Sequence, residues 1–277
     1  MKTRRALATV ITVLVGGLAA GPGARAASPF PDKNLEAAVR AVLQHEPKVE
    51  LTDEKLLNVY VLEAPGKDIK DLTGLEKCKN LALLKLTKNK VADVKALKEL
   101  TNIQSLDLAE NVIADITPLA GLTKLQYVEL SGNKVSDLKP LKDLTSLSAL
   151  YLSNNAITDL APLAGLTRLA SLSLGKNQIK NLAPLAKVNK LSLLDLKDNQ
   201  VEDLAPLADQ TDLKILILER NKITDLAPLV KAAKADAEGP KRFAPYLRLY
   251  LEGNPLSEAA KTGQLADVKK AGVRVEG

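Results

Sequence analysis

The chain of 277 residues contains no tryptophan, one cysteine, one histidine and two phenylalanines, and aromatic residues make up only 3% of it. A lone cysteine, Cys78, excludes an intramolecular disulfide framework. No second cysteine or histidine exists to complete a zinc site. Nothing marks a Ser/His/Asp arrangement around His45, and no spacing marks a pair of catalytic carboxylates. The expectation is a protein that is not an enzyme, with no catalytic residues, no metal and no cofactor. His45 follows an apolar helical face of Leu35, Ala38, Val39, Val42 and Leu43, near the C-terminal end of that helix, where a polar or cationic group is favoured.

An excess of one charge is also missing once the first residues are set aside. The chain carries 39 Lys and Arg against 33 Asp and Glu. Residues 1–26 hold Lys2, Arg4, Arg5 and Arg25 and no acid, which leaves 35 against 33. A near-neutral chain with interleaved signs and few aromatics does not fit a nucleic-acid binder. The same segment has a basic start, an apolar run from Ala6 to Ala20 and alanines at 24 and 26. That pattern predicts a signal peptide cleaved after Ala26, hence an exported protein, periplasmic or secreted. The apolar run is short for a membrane span, so no stable membrane insertion is expected after cleavage. Arg4-Arg5 hints at twin-arginine export.

What is present is a period. Asparagine recurs every 22 positions, at Asn89, Asn111, Asn133, Asn155, Asn177, Asn199 and Asn221, with a delayed copy at Asn254. Each closes the phrase L-x-x-L-x-L-x-x-N, as in LQYVELSGN from Leu125 to Asn133. In that phrase Val128 and Leu130 alternate with Tyr127, Glu129 and Ser131, which predicts a short strand with Val128 and Leu130 inward. The second half adds Val135, Leu138, Leu141 and Leu144 at spacings of three, which suits a tight 3₁₀-like turn or extended segment better than a full α-helix. Six copies carry a proline before an inward leucine: Pro118, Pro140, Pro162, Pro184, Pro206 and Pro228. Proline removes a donor and would disrupt a long helix there. Cys78 falls one such interval before Leu100, in the column of Leu122, Leu144 and Leu166, and is expected in the core.

A fixed interval of this length defines a leucine-rich repeat solenoid. Its fold class is α/β: a right-handed superhelix with a parallel sheet on the concave face, short 3₁₀-like or extended convex segments and helical caps. The asparagines are expected to satisfy backbone groups where the chain leaves each strand. The aspartates Asp71, Asp93, Asp115, Asp137, Asp159, Asp203 and Asp225, with Asn181 in the same column, are expected to cap the convex turns. LTGLEKCKNL from Leu72 to Leu81 and the successive N-x-I/V-x-D-L-x-P-L runs resemble bacterial proteins of the internalin type. The segment PFPDKNLEAAV, from Pro29 to Val39, resembles the helical cap preceding such arrays. Lys67 departs from the pattern by standing where the first coil should have asparagine. No cell-wall sorting motif or trailing adhesion domain accompanies the repeats, so an invasion role is not carried over.

The resulting division is a signal peptide at 1–26, an N-terminal helical cap at 27–58, about nine coils over 59–256 and a C-terminal cap at 257–277. Asp32 and Thr52 are expected to cap the front helices. The interval from Asn221 to Asn254 is half as long again as the others, which implies an insertion near 231–245. It reads as an enlarged structural coil, with an added contact site as the alternative. Ser257 should cap a final helix carrying Leu265 and Val268, and Gly272 should stop it.

Function is expected on the strand residues free of core duty. Nine coils about 4.8 Å apart span on the order of 40 Å, enough for an interface of about 800 Å² per partner. Tyr127, Glu129, Tyr151, Leu193, Asp195, Ile215, Ile217 and Tyr250 are the candidate contact residues, because aromatic and aliphatic groups clustered on a wet face anchor interfaces. The expectation is an exported, monomeric recognition scaffold for a protein or peptide. The alternatives are a structural or envelope-associated component, with polysaccharide binding as a variant, and a cytosolic phosphatase-regulator-like scaffold, which the export signal opposes.

Overall fold

The computed structural model describes residues 28–276, so the predicted signal peptide and its cleavage site lie outside the described residues. Ten strands form one parallel sheet in strict chain order. They are β1 (Val61–Glu63), β2 (Leu83–Lys85), β3 (Ser105–Asp107), β4 (Tyr127–Glu129), β5 (Ala149–Tyr151), β6 (Ser171–Ser173), β7 (Leu193–Asp195), β8 (Ile215–Ile217), β9 (Arg248–Tyr250) and β10 (Arg274–Glu276). From β1 to β8 each residue pairs with its counterpart one repeat later, as Tyr127 does with Ala149. The central residue of β1 to β9 is fully buried, while its neighbours face out.

Between strands the chain returns through short 3₁₀ turns such as Thr117–Leu119 and Lys139–Leu141, with proline in the first turn. The proline lacks an N–H at a position where none could be paired inside the turn. The aspartate column prepares each turn. One carboxylate oxygen accepts the backbone N–H two residues on, at 2.8 Å for Asp93, Asp115, Asp159 and Asp203. Asn181 makes the same bond at 2.9 Å.

The asparagines close each coil against the one before it. Asn111 donates from Nδ2 to the carbonyls of Leu86 and Leu108, each at 2.9 Å, and accepts the N–H of Val91 at 3.0 Å. Asn177 and Asn221 repeat this set one coil at a time. Asn89 does it for the coil that lacks its own asparagine, accepting from Lys67 and Ile69. The residue before each asparagine is left-handed, with φ of 52–59° at Lys88, Glu110, Asn154, Lys176, Asp198 and Arg220.

The front is closed by α1 (Lys33–Leu43) and α2 (Asp53–Leu56), with Leu35, Val39 and Leu56 buried. Asp32 caps α1 with one oxygen and accepts the N–H of Lys70 (2.7 Å) and Asp71 (3.2 Å) with the other, which fastens the helix to a neighbouring coil. Gly74 makes this seating possible: at φ 98°, a Cβ there would lie 2.5 Å from the Pro29 carbonyl oxygen. At the back, α3 (Ala227–Glu238) replaces a 3₁₀ turn in the long coil. Ser257 Oγ accepts the N–H of Ala260, and a π-helical turn at Ala260–Gln264 leads into α4 (Leu265–Lys270). Gly272, at φ 107°, ends it. The chain then adds β10 beside β9, a tenth strand that the division into about nine coils and a helical C-terminal cap does not contain.

Candidate functional site

The expected contact residues stand six or four positions before the asparagines, and all are half-buried on the outward side of the sheet. The parallel register sorts them into two clusters. In the first, Glu129 lies beside Tyr151, and the rings of Tyr127 and Tyr151 sit 5.6 Å apart at 47°, a tilted aromatic pair. In the second, Leu193 pairs with Ile215, and Ile217 lies between Asp195 and Tyr250. Tyr250 also carries the Arg248 guanidinium 5.6 Å from its ring centroid. Strand β6, with Ser171 and Ser173 outward, separates the two.

The first cluster is acidic and partly desolvated. Burial, followed by the Glu129 and Asp107 carboxylates, pushes the Tyr127 phenol up to about 12, so it remains a hydrogen-bond donor at neutral pH. Burial also holds the Glu129 carboxyl above its ordinary value, aided by Asp107 and opposed by the hydrogen bonds from Ser131. A hydroxyl chain crosses to the second cluster. Ser153 Oγ and Ser173 Oγ are 2.8 Å apart, and Ser173 donates to Asp195 at 3.0 Å. Beside it lies a groove of about 420 Å³ with Glu129, Ser131, Ser153 and Asp195 on its walls.

Two features escape the sequence reading. Tyr60 and Val61, in the first coil, are 55% and 47% exposed and stand outside the candidate contact residues. They are found by counting back from Ala64, because that coil has no asparagine. The serine trough is hidden because serine at a strand position carries no signal alone. Cys78, by contrast, is fully buried as its leucine column implies, and burial raises its thiol to about 12, which keeps it protonated at neutral pH.

This geometry defines a leucine-rich repeat protein. Residues 101–143 and 145–187 match the family described as Leucine Rich repeats (2 copies). The chain is 35% identical to internalin C2 of Listeria monocytogenes, over 73% of this chain and 92% of that one, with a TM-score of 0.71. It therefore belongs to the internalin-like leucine-rich repeat proteins. The functional domain of InlJ from Listeria monocytogenes is 25% identical over 83% of this chain and 52% of that one, with a TM-score of 0.63. A leucine-rich repeat protein of Leptospira interrogans shares the fold at 24% identity and a TM-score of 0.71, over 82% of this chain and 57% of that one. No curated protein matches the chain. The fold is commonly used for protein–protein recognition.

Proposed function

We propose that the chain is an exported, non-catalytic scaffold that binds a protein or peptide on the concave face, with the two clusters as its contact points. The observation carrying this reading is the contrast between columns. The central strand positions keep leucine or valine, whereas the outward ones vary from Lys85 to Tyr127 to Leu193 to Ile217. Packing dictates the first set and leaves the second to selection by contact. Among the described residues no helix is long and apolar enough to cross a membrane.

A second reading has its own support: the Ser131, Ser153 and Ser173 hydroxyls between Glu129 and Asp195 offer the polar row a polysaccharide would use. Affinity capture with the mature protein from extracellular and envelope fractions of its own organism separates the two. In calorimetric titration with the captured partner, Tyr151→Ala and Ile215→Ser are expected to weaken binding by about tenfold or more. The convex change Lys142→Ala leaves it unchanged. Damage from Lys142→Ala alone overturns the proposal. Export is tested by N-terminal sequencing, with Ala27 as the expected first residue.

A further inference from the structure

The interval between Asn221 and Asn254 is where the chain departs furthest from its repeat, and the extra residues build a wall. After α3 the chain turns through Gly239 and Pro240, with Lys241 left-handed at φ 52°. Asp236 is 3% exposed and accepts the N–H groups of Arg242, Phe243 and Ala244, each at 2.9 Å. Phe243 and Ala244 are buried in the core. The loop is thereby fixed from beneath, and Lys241 and Arg242 are held out of the core.

Between this loop and the segments leading into β7 and β8 lies a cavity of about 620 Å³. Lys190, Ser192, Lys214, Lys241, Arg242 and Tyr246 line it. Its one carboxylate, Asp212, is ion-paired with Arg242. Lys190, Lys214 and Lys241 form no ion pair among the described residues. Four cations therefore face one acid, in a chain whose signs are otherwise interleaved.

We propose that this pocket takes an acidic peptide segment of the partner, a deepening of the concave-face reading on which it rests. Ser192 and Lys214 immediately precede Leu193 and Ile215, so a chain leaving the pocket meets the aliphatic cluster next. That continuity favours an extended peptide with carboxylates followed by apolar side chains over a free anion. Lysines, as point charges on flexible stems, suit separate carboxylates better than one forked anion.

The test uses fluorescence anisotropy of the full chain with a labelled peptide, Glu-Glu-Ser-Glu-Glu-Leu-Ser-Leu. The double variant Lys190→Glu/Lys214→Glu is expected to lose about tenfold or more in affinity, and the convex control Lys139→Glu/Lys142→Glu about twofold at most. Raising salt from about 50 to about 500 mM should weaken the wild type and leave the pocket variant nearly unaffected. Unchanged thermal melts establish that both variants fold. If the pocket variant fails to fold, Lys241→Ser on the exposed loop replaces it, with a loss of about threefold expected. Equal affinity in pocket and convex variants overturns the proposal, as does displacement of the peptide by a sulfated disaccharide or inorganic phosphate at equal concentration. If Tyr151→Ala and Ile215→Ser weaken the captured partner while the lysine reversals do not, this inference alone fails. If the lysines govern the peptide while both concave variants bind the partner normally, the concave-face reading fails instead.

Discussion

The coils closed by Asn111 to Asn221 and the coil closed by Asn254 are built from the same phrase and behave differently. In the regular coils the central strand leucine or valine and the asparagine bonds recur at one constant interval, while the outward strand positions change from coil to coil. In the last coil the convex turn becomes α3, a buried carboxylate replaces turn geometry, and unpaired cations line a pocket. Regularity here marks positions bound by packing. Departure marks positions free to take on a contact, provided something else holds the chain.

The contrast breaks most visibly in the core. Leu152→Ala, at a fully buried site, should cost about 2–5 kcal/mol, measured by denaturant unfolding. Asn155→Ala should cost about 1–3 kcal/mol, because Val135 N–H and the carbonyls of Leu130 and Leu152 lose their partner. Binding of the captured partner should fall only in proportion to the unfolded fraction. A variant with an unchanged melting midpoint and no binding would make the asparagine functional.

Asp236→Asn addresses the irregular coil. The amide keeps one acceptor and sets donors against donors at Arg242, for a cost of about 1–3 kcal/mol. Hydrogen exchange should localise the loss to Arg242, Phe243 and Ala244. The pH dependence has a definite sign. Burial pushes this carboxyl up, but the three N–H groups hold it below its ordinary 3.8. Its stabilisation is therefore full above 3.8 and lost as pH falls through the lowered value, so the loop should open in acid before the regular coils do.

Glu129→Gln is the smallest change and runs the other way. A carboxyl raised by burial costs stability once pH exceeds its folded value, and the cost vanishes below the ordinary 4.5. The variant should melt slightly higher than wild type at neutral pH and alike near pH 4. A lower melting point at neutral pH would show that the bond from Ser131 outweighs desolvation.

The repeat was legible because its demands are chemical and periodic: a leucine is inward or it is not, and a side-chain amide offers two N–H donors beside an accepting oxygen. The fold, the 3₁₀ turns and the two columns of side chains that cap and close the coils follow from that. Strand β10 was not legible, since Arg274-Val275-Glu276 carries no repeat phrase and pairs only because β9 leaves an edge open. The left-handed residue before each asparagine was hidden because lysine, glutamate and arginine occupy it as well as glycine. The candidate contact residues could be named from their column. Their division by the small residues of β6 required the register, and the unpaired lysines required the fold of the insertion.

The asparagine bonds that cross between coils all point one way, from each coil to the one before it. Excising residues 156–177 would join Asn155 to Gln178, and every remaining amide would still find a coil in front of it. Length in this molecule is thus a counted quantity, adjustable by whole coils without rewriting any interface. Such an excision would remove β6 and bring Tyr151 one coil nearer to Leu193 while leaving both clusters and the caps intact. The distance between the two clusters can therefore be reset like the spacing of marks on a ruler, and a ligand that bridges them would report the change.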